Sequence, residues 1–168
     1  TSFVYGNYVG TNAAGTGDLN GTTANTAQSG FVMLNGSSGN QVGNTSLAGA
    51  RNIFSGNNHY GVEIQSLTSI NNTVVGNFIG TDASGLAALG NTNGGFSFWG
   101  SGTGNLLGGN VVSGNFGQGI LVSSGASGSQ IQGNYVGVGV DGSTIVGNGS
   151  TGIFVGGALV NTLIGMNA

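Results

Sequence analysis

The sequence predicts an all-β protein folded as a parallel β-helix, or β-solenoid, of about six partial coils with three short strands each. Glycine accounts for 38 of the 168 residues, and proline is absent. Three strand-like segments recur in a fixed order, and no stretch shows sustained helical periodicity. Because each segment is too short to be stable alone, its apolar face must be buried by stacking on the next copy.

The repeat is clearest in a glycine followed by alternating apolar residues, with copies that begin at Gly30, Gly61, Gly95, Gly119 and Gly152. Two further segments follow each copy, and most of their copies begin with asparagine. Turn-forming Gly, Ser, Asn and Thr separate the segments. Long connections precede Gly30, Gly95 and Gly152, whereas short ones precede Gly61 and Gly119, so longer loops fall on alternate coils.

Aligning the copies predicts four inward stacks in which every position is apolar. On the first face they are Phe31, Val62, Phe96, Ile120 and Ile153, and Met33, Ile64, Phe98, Val122 and Val155. On the second face the stack is Val4, Val42, Val74, Leu107, Ile131 and Leu163, and on the third it is Val9, Phe54, Ile79, Val112 and Val136. Coils ~4.8 Å apart would bury these side chains against one another.

One corner of the coil carries an aligned row of asparagines: Asn7, Asn52, Asn77, Asn110 and Asn134. Asparagine tolerates left-handed backbone geometry, and stacked amides can hydrogen-bond along an axis. We expect this row to be a structural ladder rather than a binding row.

Two phrases carry a resemblance to a known group: Gly76-Asn-Phe-Ile-Gly-Thr-Asp-Ala-Ser-Gly85 and Ala48-Gly-Ala-Arg-Asn-Ile-Phe-Ser-Gly-Asn57. The chain resembles the right-handed parallel β-helix repeats of large bacterial surface and secreted proteins, within the pectate-lyase-like superfold. The resemblance covers nearly the whole chain and implies a right-handed coil. It selects no function, because that superfold carries lyases, hydrolases, adhesins and passive stalks. The first long segment departs from the pattern, with extra residues around 17–23.

Charge excludes several function classes. The only basic side chain is Arg51, and the acids are Asp18, Glu63, Asp82 and Asp141. A single arginine cannot neutralise a run of phosphates, which excludes nucleic acid as a partner. No apolar run approaches the ~18 residues of a membrane-spanning helix.

The small number of charged residues also argues against an enzyme. The resemblance implies that a lyase would use acids to hold calcium and a lysine or arginine as base, but lysine is absent and Arg51 has no acids near it in sequence. Asp82 and Asp141 lie on equivalent loops but are offset, so we expect turn-forming aspartates rather than a hydrolytic pair. His59 is expected to be an exposed loop histidine. The sequence therefore predicts no catalytic residue, metal ligand or cofactor site.

Outward aromatic residues are the remaining candidates for a site. Trp99, Leu121 and Phe154 fall on successive coils and predict an exposed apolar strip, which either contacts a ligand or partner or is covered by long loops. Three further aromatic residues project from the third face, where either long loops cover them or they form an interface: Tyr8, Phe78 and Tyr135.

The sequence favours a non-enzymatic structural or adhesive protein of the extracellular space or cell surface. Residues 1–168 form one domain, expected to be a segment or subunit of a longer column. Both ends fall within strands, so copies are expected to stack end to end into a filament. Because the chain has few charged residues, little electrostatic repulsion would oppose this stacking. The alternative is a carbohydrate-binding module that uses Trp99 to bind glycans. A polysaccharide lyase or glycoside hydrolase is the third hypothesis.

Overall fold

The computed structural model describes residues 1–19, 28–123, 125–157, 159 and 161–165. In these ranges the regular elements are short strands. They are β1 (Phe3–Val4), β2 (Tyr8–Val9), β3 (Phe31–Met33), β4 (Gln41–Val42), β5 (Ile53–Phe54), β6 (Tyr60–Gln65), β7 (Thr73–Val75), β8 (Phe78–Ile79), β9 (Gly94–Trp99), β10 (Leu106–Gly108), β11 (Val111–Val112), β12 (Gln118–Val122), β13 (Gln130–Gln132), β14 (Tyr135–Val136), β15 (Ile153–Val155) and β16 (Leu163–Ile164).

The strands form three parallel sheets that wind into a β-helix, which confirms the predicted fold class. The first face is β3-β6-β9-β12-β15, the second is β1-β4-β7-β10-β13-β16, and the third is β2-β5-β8-β11-β14. Each strand pairs in parallel with the strand three places along the chain. The chain therefore completes five turns of three strands, and β16 begins a sixth.

Strand register confirms the predicted stacks, apart from one residue. On the first face Phe31 lies opposite Val62 and Phe96 opposite Ile120, and on the third Phe54 lies opposite Ile79. The central members of all four stacks are buried in one continuous apolar core. Burial of this surface is the main force that holds neighbouring coils together.

The exception is Leu163, which was wrongly predicted to face inward on the second face. Ile164 lies opposite Ile131, and Leu163 lies opposite Gln130 on the outer surface. The reason is the turn before the strand. Asn161 has a φ of 58°, close to the φ of 55° at Asn71, which lies in the turn before β7. Asn161 therefore occupies the left-handed turn position and not the first position of the strand motif.

The predicted asparagine row is a hydrogen-bonded ladder. At four successive steps the backbone N–H and the Nδ2 of one asparagine both donate to the Oδ1 of the next, at 2.8–3.2 Å. The ladder runs through Asn7, Asn52, Asn77, Asn110 and Asn134. Its inner amides are buried, so each satisfied bond avoids the cost of an unpaired polar group.

Two further ladders of the same geometry occupy the other two corners. One joins Asn40, Asn72 and Asn105 before the second-face strands. The other joins Asn57, Asn91, Asn115 and Asn148 before the first-face strands. Every corner of the central coils is therefore fixed by side-chain amides.

The three long loops share one backbone pattern. Each is closed by an isolated antiparallel bridge, Thr11 with Asp18, Thr81 with Ala88, and Val138 with Ile145. The first loop therefore follows the pattern through residue 19. The prediction of extra residues around 17–23 falls partly on residues 20–23, which lie outside the described ranges. Loops from alternate coils also contact each other, because the Ala83 amide donates to the Gly15 carbonyl.

The positions of these loops show which of the third-face aromatic residues are covered and which remain accessible. A glycine of each loop sits against the aromatic residue of its own coil, and Gly85 lies against the Phe78 ring. Phe78 is buried with Ile53 and Val111 in a small second cluster. Tyr8 and Tyr135 remain about half exposed. The loops therefore cover Phe78, the central member, and leave the outer two partly accessible.

Candidate functional site

A groove on the outer surface of the first face is the best candidate site. Strands β6 and β9 pair so that Glu63 lies opposite Ser97 and Gln65 opposite Trp99. Inward Phe96 and Phe98 alternate with these residues, so their side chains project outward. The groove has a volume of about 410 Å³, within the usual range for small-molecule sites. It is lined by His59, Tyr60, Glu63, Gln65, Asn93 and Trp99.

Trp99 supplies the apolar wall of the groove. It ends β9 and is 60% exposed, although it is the largest side chain in the protein. On the other side of the groove the Tyr60 ring lies over Gly94, where a Cβ would come within 2.7 Å of the ring. Glycine at this position therefore leaves room for the tyrosine ring.

Glu63 is the fixed polar group of the groove. Its side chain is almost fully buried, and its Oε1 lies 2.6 Å from the Nδ1 of His59. The Ser29 hydroxyl also donates to Oε1, and the Gln65 amide donates to Oε2. Both carboxylate oxygens are thus held by neighbouring side chains, which satisfies a charged group that would be costly to bury alone.

Ser29, His59 and Glu63 do not have the geometry of a nucleophilic triad. In such a triad the nucleophile and the carboxylate bond opposite nitrogens of the imidazole. Here the Ser29 hydroxyl lies 3.1 Å from Nδ1, the same nitrogen that contacts Glu63. Histidine cannot relay a proton between two groups that share one nitrogen. His59 is also only partly exposed, so the expectation of an exposed loop histidine is wrong.

Tyr60 completes the polar rim of the groove. Its hydroxyl lies 3.5 Å from the Oε1 of Gln118 on the next but one coil. Burial and the nearby negative charge of Glu63 both raise the pKa of Tyr60. The phenol therefore stays protonated over the neutral range and donates to Gln118.

The predicted apolar strip is not continuous. Leu121 is only 7% exposed, whereas Phe154 is 43% exposed. Leu121 and Phe154 share a row with Ser97, but Trp99 lies in the neighbouring row with Gln65. Of the three residues, Trp99 alone lines the groove.

Asp82 and Asp141 are structural residues of their loops, as expected. The Asp82 carboxylate accepts hydrogen bonds from the Ser84 hydroxyl and from the Leu86 and Ala87 amides. Partial burial would raise the pKa of Asp82, but these hydrogen bonds outweigh burial and lower it. The amides of Ser143 and Thr144, with the Thr144 hydroxyl, likewise lower the pKa of Asp141. A general acid needs the opposite shift.

Within the described ranges, no group of three or more His, Cys, Asp or Glu residues could hold a metal ion. No helix among the described residues is long and apolar enough to cross a membrane. Comparison with protein-family models, curated proteins and solved structures found no match to this chain.

Proposed function

We propose that this β-helix is a non-enzymatic, glycan-binding adhesive module that acts outside the cell. The observation that carries the proposal is the exposed Trp99 ring beside the fixed carboxylate of Glu63 in one groove. The resemblance to bacterial surface and secreted β-helix repeats supports an extracellular location.

The chemistry of the groove suits a sugar ring. One face of a pyranose is rich in C–H groups, and the flat indole of Trp99 offers apolar area for them at low conformational cost. Hydroxyl groups of the sugar need polar partners of defined geometry, which Gln65, Asn93 and Tyr60 supply around the rim. A few convergent polar groups beside an apolar surface are typical of small-molecule sites.

Binding without cleavage is the simpler interpretation of the groove. Glycoside hydrolysis requires a second carboxyl group ~5–9.5 Å from the first, and Glu63 is the only acid among the lining residues. Its oxygens are already engaged by Ser29, His59 and Gln65.

Trp99 is the only tryptophan, so selectively excited tryptophan fluorescence reports on this groove alone. We expect a glycan array to identify neutral oligosaccharides that change this fluorescence on titration, and Trp99→Ala to abolish their binding. Phe116→Ala is the matched control, because Phe116 is 71% exposed and does not line the groove. An array without any bound neutral glycan, or equal binding of such glycans by Trp99→Ala, would refute the proposal.

A second candidate function is that of a structural column. Three amide ladders run along the coils, and the chain carries only 3% charged residues. Copies that associate end to end would extend such a column into a filament. Sedimentation velocity over a wide concentration range, followed by electron microscopy, tests this candidate. Growth of linear particles with concentration is expected, and a monomer at every concentration would contradict it.

A further inference from the structure

The corner between the second and third faces is interrupted once, in the second coil. Two residues separate inward Val74 from the ladder residue Asn77, whereas nine separate Val42 from Asn52. The other coils keep the shorter turn. Residues 43–51 therefore form an insertion on an otherwise uniform corner, at a different place on the column from Trp99.

The insertion lies over turn glycines of neighbouring coils. A Cβ on Gly6 would come within 2.8 Å of the Gly49 carbonyl, and one on Gly76 within 3.1 Å of the Asn44 carbonyl. Beside this contact lies a groove of about 610 Å³, between the insertion and the partly exposed ring of Tyr8. Gly6 and Gly76 line this groove and contribute no side chain to it.

Arg51, the only basic side chain of the protein, lines this groove. Its Cζ lies 4.0 Å from the centre of the Phe78 ring, and its Nε donates to the Gly76 carbonyl at 3.2 Å. The exposed guanidinium is therefore held in place by a cation–π contact and a backbone bond. Neither Nη amino group has a hydrogen-bond partner among the residues that the structure describes.

The surroundings favour an anion. No Asp or Glu lines the groove, so the charge of the guanidinium is not neutralised locally. The Arg51 guanidinium presents its N–H donors as a planar fork that is already oriented. Such a fork matches the geometry of a carboxylate better than a single point charge does. Thr45, Ser46 and Tyr8 place hydroxyl groups around the same space, and these groups suit a hydroxylated ligand.

We propose that the Arg51 groove is a second binding site, and that it takes a sugar acid whose carboxylate bonds the Arg51 guanidinium. The carboxylate accepts from the two Nη groups, while the ring hydroxyls bond the insertion and Tyr8. This site is independent of the Trp99 groove, because the two share no lining residue.

The test uses the whole chain with N-acetylneuraminic acid as the probe and its methyl ester as the matched neutral ligand. Because the chain has a single arginine, its Nε–H gives one side-chain NMR resonance that needs no further assignment. We expect the acid to shift this resonance in a saturable way, and the ester to bind at least about tenfold more weakly. Added salt should weaken binding of the acid.

Two variants locate the binding. Arg51→Gln should bind the acid at least about tenfold more weakly, because the charge-assisted bonds are lost. Its circular dichroism and melting curve establish that it folds. Trp99→Ala should bind the acid as the parent does, so failure of the glycan proposal leaves this one intact. Equal binding of acid and ester, equal binding by Arg51→Gln, or no shift of the Arg51 resonance would overturn the proposal.

Discussion

Asn77 donates twice to a single atom, the Oδ1 of Asn110 on the next coil, through its backbone N–H at 2.9 Å and its Nδ2 at 3.0 Å. The Nδ2 also donates to the Val42 carbonyl of the preceding coil. The Oδ1 of Asn77 accepts the same pair of bonds from Asn52. One buried side chain thus links three successive coils.

Asn77→Ala should lower the free energy of unfolding by about 2–4 kcal/mol, because buried donors of Asn52 lose their acceptor. Urea denaturation monitored by circular dichroism measures the loss. Asn7→Ala is the matched control at the exposed end of the same ladder, where water replaces the lost bonds, and it should cost about 1 kcal/mol or less. Equal losses in the two variants would contradict a buried ladder.

The repeat predicted this ladder because its five asparagines precede third-face strands at constant register. The repeat also contains the pattern of the other two ladders, which were not predicted. Asn40, Asn72 and Asn105 begin the second segment, and Asn91 aligns with Asn148. These asparagines are aligned between repeats in the same way as those of the first row, so the other two ladders were predictable too. The error at Leu163 has a different cause, because Asn161 matches the motif in its letters but takes the turn conformation.

The ladder of Asn40, Asn72 and Asn105 stops at Ser129, whose hydroxyl is buried without a partner among the described residues. Ser129→Asn should extend it, since the new Oδ1 would accept from the backbone N–H and Nδ2 of Asn105. We expect a gain of about 1 kcal/mol in the free energy of unfolding.

Ser129→Ala provides the control for this gain. It removes an unpaired hydroxyl and should leave stability nearly unchanged. If Ser129→Asn destabilises the protein while Ser129→Ala does not, the corner lacks room for an amide, and the ladder ends there for steric reasons.

Gly85 and Gly142 occupy equivalent positions in two long loops and have φ angles of 72° and 71°. A Cβ on Gly85 would lie 2.6 Å from the Phe78 ring, whereas one on Gly142 would lie 3.7 Å from the Tyr135 ring. Gly142→Ala should therefore cost only the left-handed strain, about 1–2 kcal/mol. Gly85→Ala should cost about 1–3 kcal/mol more through overpacking. Thermal melts of both variants compare the two, and equal shifts would show that the loop does not press on Phe78.

The candidate groove was only partly predictable. Alternation along the strand identified Trp99 as outward and exposed, whereas its pairing with Gln65 came from the strand register of the structure. The cluster of Ser29, His59 and Glu63 was missed, because its members meet across coils and have no counterpart in other repeats. Burial of Leu121 was missed for a related reason. An outward position in a repeat is exposed only where neighbouring side chains leave it open, and the repeat does not encode those neighbours.

Acid should destabilise the protein through Asp82 and Asp141. Their pKa values are lower in the folded chain than the ordinary value of ~3.9, so the unfolded state binds protons first as the pH falls. The stabilising contribution is complete above the unfolded pKa and is lost as the pH falls through the folded values. Urea denaturation of the parent should show less stability at pH ~2.5 than at pH ~7. The double variant Asp82→Asn, Asp141→Asn should lose less between these two conditions, because its loop side chains no longer titrate. A loss as large as the parent's would contradict this prediction.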